Sequence, residues 1–168
     1  MTSKLQRVFA RFGEAASHSQ SLEAALVNLL LVRCQFAPQA LDVSQISSME
    51  SIWSRKTMGG LLSDVRDRGY LSEEQLSDLE IVRGRRNYLI HRFFYENAEA
   101  LTLASRWDQL ETELINISSS FKRAIAVIEG AFLDFLAREG FDRSAFEQLR
   151  DRTMSELVEC AEQSWRRA

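Results

Sequence analysis

Apolar and small residues recur along this chain in steps of three and four. From about residue 3 to 36 they fall at Leu5, Val8, Phe12, Ala15, Leu22, Leu26 and Leu29, the stripe of an amphipathic helix. Polar Ser19 interrupts the stripe, and Gly13 with the Ser17-His18-Ser19 patch leaves room for a kink. Pro38 closes the helix, because it has no N–H and drives Ala37 out of helical backbone. Residues 38–48 read as a polar loop, followed by a short helix over 49–55. Thr57 caps another, with Leu61, Leu62 and Val65 as its buried side, ending at Gly69 after a basic turn of Arg66 and Arg68. Ser72-Glu73-Glu74-Gln75 is a capping box. The helix it opens carries Leu76, Leu79, Val82, Leu89, Ile90, Phe93 and Phe94 and extends to about Tyr95.

The clearest periodicity follows. Trp107, Leu110, Leu114, Ile117, Phe121, Ala124, Ile128, Ala131 and Phe135 form a bundle or coiled-coil seam that Gly140 ends. Asp142 or Ser144 caps a last helix with the stripe Phe146, Leu149, Met154, Leu157, Ala161 and Trp165. The pattern predicts one all-α domain over residues 1–168: a helical bundle with two long helices, shorter ones between them and an extra C-terminal helix at about 141–166.

Composition narrows the class. One proline and seven glycines in 168 residues compare with about eight and twelve at average usage. That is too few turn residues for a sandwich or barrel of short strands. The amino terminus lacks the apolar region of a signal peptide. The longest apolar run, Leu29 to Val32 with its flanks, is far short of the ~20 residues that span a bilayer. A cytoplasmic protein with no membrane partner is expected. Cys34 and Cys160 lie at opposite ends of the chain and His18 and His91 are the only histidines. No metal site and no cofactor is expected from that set.

Net charge is −3, which argues against a broadly basic nucleic-acid binder. One segment departs from it. Arg83-Gly84-Arg85-Arg86-Asn87-Tyr88-Leu89-Ile90-His91-Arg92 has four arginines and no carboxylate, so this decapeptide carries +4 and the rest of the chain −7. Arginine suits phosphate through its forked donors. Asn87, His91 and Tyr95 fall one turn apart on a helix, whereas Arg86 lies about 140° around the axis from His91. Its side chain would reach the histidine only from an irregular helix start near Gly84 or across a dimer.

These residue types suit cleavage of RNA without metal. A neutral imidazole takes the 2′-OH proton, an imidazolium protonates the leaving 5′-oxygen, and a guanidinium stabilises the phosphorane-like charge. One histidine cannot be in both states in one turnover, so two copies in a symmetric dimer would supply base and acid.

Arg86-Asn87-Tyr88-Leu89-Ile90-His91 resembles the Arg-polar-x-x-x-His motif of the HEPN superfamily. Ser21-Leu22-Glu23-Ala24-Ala25-Leu26 and Thr57-Met58-Gly59-Gly60-Leu61 look similar to bacterial members, and the resemblance covers about residues 5–135. It implies an all-helical, commonly dimeric domain and a metal-independent ribonuclease of toxin–antitoxin or phage-defence systems. Arg86 and His91 would be catalytic and Asn87 the polar residue beside them. Arg83, Arg85, Arg92 and Tyr95 would hold RNA. Members paired with a nucleotidyltransferase antitoxin often carry tyrosine two residues after the histidine, where this chain has Phe93.

Blander readings stand beside these. His91 could be a surface histidine bonded to Asn87 and His18 a polar residue of the first helix; Glu23, amid apolar neighbours, could orient a partner, with an exposed or snorkelled carboxylate the blander reading. The arginines could solvate a helix face or pair with Glu80, Glu96 and Glu99 in a neighbour. The alternative function is a non-catalytic dimerisation or regulatory module binding nucleotide, RNA or a protein partner such as an antitoxin. A DNA-binding repressor fits less well, since no helix-turn-helix is visible.

Overall fold

The computed structural model describes residues 4–36 and 42–142, together with 144, 148, 152 and 155. Its elements are α1 (Lys4–Gln35), α2 (Val43–Trp53), α3 (Met58–Asp67), α4 (Glu73–His91), α5 (Phe93–Glu96), α6 (Ala98–Thr102), a 3-10 turn (Ala104–Arg106) and α7 (Trp107–Arg138). The fold is all-α, with two long helices and no strand among the described residues. None of the described helices is long and apolar enough to cross a membrane. Two compact units form, Met1–Glu129 and Gly130–Ala168. The boundary lies inside α7, upstream of the segment set apart above as an extension.

In the first unit α1, α4 and α7 run up, down and up. Phe12 meets Phe93 with ring centroids 5.6 Å apart, and Glu23 meets Arg86, which makes α1 and α4 antiparallel. Lys4 pairs with Asp108 at 2.7 Å and His18 Nδ1 lies 2.9 Å from Ser118 Oγ, which makes α1 and α7 parallel. Much of the marked stripe is buried: Leu22 and Leu26 on α1, Leu61 and Leu62 on α3, Leu76 and Leu89 on α4, Leu114 and Phe121 on α7; Ile90 and Phe94, marked with the α4 stripe, are exposed instead. Ser19 does not interrupt this face. It is buried and its hydroxyl donates back to the Ala16 carbonyl at 2.8 Å, so no polar group is left bare.

Local signals set the helix ends. The Ser72–Gln75 capping box is formed in both directions, and Thr57 caps α3 by accepting from the Gly60 amide. Gly69 takes φ +64° after α3, and Tyr70 N–H closes the end on the Val65 carbonyl at 3.1 Å. Two boundaries differ from the sequence reading. First, α2 begins at Val43, inside the expected loop, because Asp42 and Gln45 form a second reciprocal capping box. The Gln45 amide and then the Ser44 hydroxyl hold the Asp42 carboxyl below its ordinary range. Second, α4 stops at His91 rather than near Tyr95. Arg92 leaves helical backbone (φ −127°, ψ −21°), which lets consecutive Phe93 and Phe94 both reach Phe12, at 5.6 and 4.5 Å.

In the second unit α7 ends at Arg138, and Gly140 takes φ +87° while Phe141 N–H bonds the Leu136 carbonyl at 3.0 Å. Asp142 Oδ1 accepts from the Ser144 amide at 2.9 Å. Pro38, Cys160 and the stripe from Phe146 to Trp165 lie outside the described residues.

Candidate active site

The motif residues occupy the last turn and a half of α4 where it crosses α1. Arg86 is largely enclosed, with 22% of its side chain exposed, whereas Asn87 and His91 face solvent. One Arg86 Nη1 serves both neighbours: it lies 3.3 Å from His91 Nε2 and 3.5 Å from Asn87 Oδ1. Nη2 stands 2.9 Å from Glu23 Oε1 of α1. That contact is an ion pair rather than an aligned hydrogen bond. Glu23 Oε1 and Arg86 Nε are both enclosed, and neither has a hydrogen-bond partner among the described residues.

The route from Arg86 to His91 differs from the expectation. The helix is regular through Gly84 and the contact lies within one chain. Glu23 draws the guanidinium into the α1–α4 crossing. Because α4 ends at His91, the imidazole stands at the helix terminus, where the long arginine can reach around to it. No irregular start or second copy is needed for this contact.

A guanidinium has only donors, so a hydrogen bond between the two makes His91 Nε2 the acceptor. The cluster sets the edge of an exposed imidazole against a cation. A carboxylate balances that cation from behind.

The other motif-adjacent residues do not join the cluster. Arg83 pairs with Glu80 at 2.6 Å and lies over Gly59, its Nη1 3.3 Å from where a Cβ would stand. Arg92 pairs with Glu96 at 3.4 Å and stacks over the Tyr88 ring at 5.8 Å. Arg85 turns to the α7 side and lines a groove with Arg123. Tyr95 is 87% exposed on α5, past the break at Arg92 that ends the helix carrying Asn87 and His91. Burial, and then the Glu113 carboxylate that its hydroxyl meets, push Tyr88 up to about 12.

Glu23 is the member of the cluster whose partner sequence reasoning did not identify. The signal was its place amid apolar neighbours of α1, but its partner lies on another helix, so no local spacing identifies it. Glu23 also lines a cavity of about 320 Å³ with Gln20, Asn28, Trp53 and Lys56, which brings open space up to the ion pair. Solvent-exposed Ile90 and Phe94 flank His91 in sequence, and Phe94 stacks on exposed Phe9 with centroids 6.0 Å apart. No group of three or more His, Cys, Asp or Glu among the described residues is placed to hold a metal ion. Comparison with protein-family models, curated proteins and solved structures gives no match for the chain.

Proposed function

We propose that this protein is a metal-independent endoribonuclease of HEPN type, acting in the cytoplasm as a homodimer and serving as a toxin or phage-defence component. The observation that carries this reading is the Arg86 guanidinium directed at the Nε2 lone pair of an exposed histidine. On substrate binding the Arg86 fork turns from His91 to the phosphate, and the freed His91 Nε2 takes the proton of a ribose 2′-OH. The 2′-oxygen attacks the phosphorus, and the P–O5′ bond breaks as the leaving oxygen takes a proton. The products are a 2′,3′-cyclic phosphate and a 5′-hydroxyl.

Arg86 offsets the charge that develops on the phosphoryl oxygens, where a fixed donor is worth about 3–4 kcal/mol. Asn87 holds the Arg86 fork through Oδ1 and presents its amide to the substrate. The second proton comes from the His91 of a second copy. The exposed Phe9, Ile90 and Phe94 beside the histidine support such a copy, since apolar surface grouped at a site marks an interaction face. An antitoxin or regulatory protein would cover the same face. Induced expression in bacteria tests the reading: the wild-type chain arrests growth, and Arg86→Gln and His91→Ala do not. Equal arrest by these variants would overturn it.

One observation favours a second reading, a non-catalytic dimerisation or regulatory module. Glu23 already neutralises Arg86, and Glu80 and Glu96 neutralise Arg83 and Arg92. A site held in this way would bind an RNA or protein partner without cutting RNA, and binding would weaken as salt rises.

A further inference from the structure

The α4–α7 side of the first unit carries a groove made of residues outside the His91 cluster. Two cavities, of about 900 and 380 Å³, meet there at Arg85 of α4 and Arg123 of α7, which line both. Both arginines are exposed, and among the described residues neither has an ion-pair or hydrogen-bond partner. Along the larger cavity α7 presents Gln109, Thr112, Asn116, Ser119 and Arg123. Their spacing of three and four makes one polar stripe whose only charge is the last residue.

Two carboxylates share this wall, and both are engaged. Asp108 is held by Lys4 at 2.7 Å and by Arg7 at 3.9 Å. Glu113 faces the Tyr88 hydroxyl. The smaller cavity has Asp78 at its edge. Positive charge without a partner is therefore confined to the waist where Arg85 and Arg123 face the same space.

We propose that this groove binds a small phosphate-bearing molecule, its phosphate held between Arg85 and Arg123 and by donors from Asn116 and Ser119. Guanidinium forks match phosphate oxygens in pairs. Two like charges lining one groove repel, and a dianion between them removes that repulsion. A groove also focuses the field more than a flat surface does. The larger cavity is the size of an ordinary small-molecule site. A nucleic-acid strand fits less well, because its phosphates on either side of the waist would meet Glu113 or Asp78, which pair with no cation among the described residues.

The site shares no residue with the ribonuclease cluster, so the two can fail separately. The test is calorimetric titration of the full-length chain with inorganic pyrophosphate, and in parallel with a short single-stranded RNA. Wild type, Arg85→Gln, Arg123→Gln and Arg86→Gln are compared. Both changed groove residues are exposed, and far-UV circular dichroism checks that the helices persist. The expected result is one pyrophosphate per chain, with affinity about tenfold or more weaker in Arg85→Gln and in Arg123→Gln and unchanged in Arg86→Gln. Three results would overturn the proposal: no saturable pyrophosphate binding, equal loss in Arg86→Gln, or RNA binding that needs Arg85 and Arg123 where pyrophosphate binding does not.

Discussion

Glu23 decides what Arg86 can do. The ion pair at 2.9 Å fixes one end of the guanidinium and leaves the other aimed at His91. Removing the carboxylate leaves an enclosed cation with no counter-charge, and it frees Nη2 for a competing anion. On the ribonuclease reading, Glu23→Ala therefore lowers kcat by on the order of tenfold or more while KM does not rise, because misplacing a fixed group costs rate before binding. Single-turnover kinetics separates the two; an unchanged kcat would give Glu23 no positioning role. Little of this was legible in the sequence. Arg86, Asn87 and His91 stood out because they are close in the chain; Glu23 stood out only as a carboxylate amid apolar neighbours, because folding alone brings α1 to α4 and Glu23 to Arg86. The reach of Arg86 was misjudged for a related reason. Cα angles ignore side-chain length and the end of the helix at His91.

At the scale of elements, the ends written in a few adjacent residues were readable. Ser72 with Gln75, Thr57 with Gly60, and Gly69 all act where their chemistry predicts. Ser72→Ala should cost about 1 kcal/mol of unfolding free energy. Gly69→Ala, at φ +64°, should cost about 1–2 kcal/mol. Urea denaturation of each variant checks both. The end of α4 was not readable, because Leu89 to Phe93 continues the helical step of four. The break at Arg92 arises from packing two consecutive phenylalanines on α1, a tertiary demand. The start of α2 was missed because only Trp53 of that helix is buried, so it carries almost no hydrophobic stripe. Tyr88 ties α4 to its surroundings: Asn97 Nδ2 donates to its hydroxyl at 2.8 Å, and its acidity is displaced up to about 12. The unfolded phenol titrates at about 10. The fold favours the neutral form, so this contribution is full below about pH 10 and is lost as pH climbs toward 12. Stability measured at about pH 9 and pH 11.5 should fall further in wild type than in Tyr88→Phe.

For the whole molecule, the alternation of long apolar stripes with short capped helices was enough to read an all-α bundle. The division into units at Glu129 and Gly130 was not, because α7 runs through it with its seam unbroken. Core residues should behave accordingly. Phe93 is fully buried, and Phe93→Ala should cost about 3–5 kcal/mol, read from the shift in denaturation midpoint. The proposed reaction makes a stricter demand, since two histidines in different protonation states require two chains. Sedimentation should find a dimer that Phe94→Glu converts to monomer; a wild-type monomer at working concentrations would remove the second proton donor. The central claim is that His91 and Arg86 cut RNA without metal. It is tested most directly by incubating RNA with wild-type protein and with His91→Ala in excess chelator, then identifying the product ends by mass spectrometry. The account predicts 2′,3′-cyclic phosphate and 5′-hydroxyl ends from wild type, with cleavage reduced about 10²-fold or more in the variant. No cleavage by wild type, or equal cleavage by His91→Ala, would contradict it.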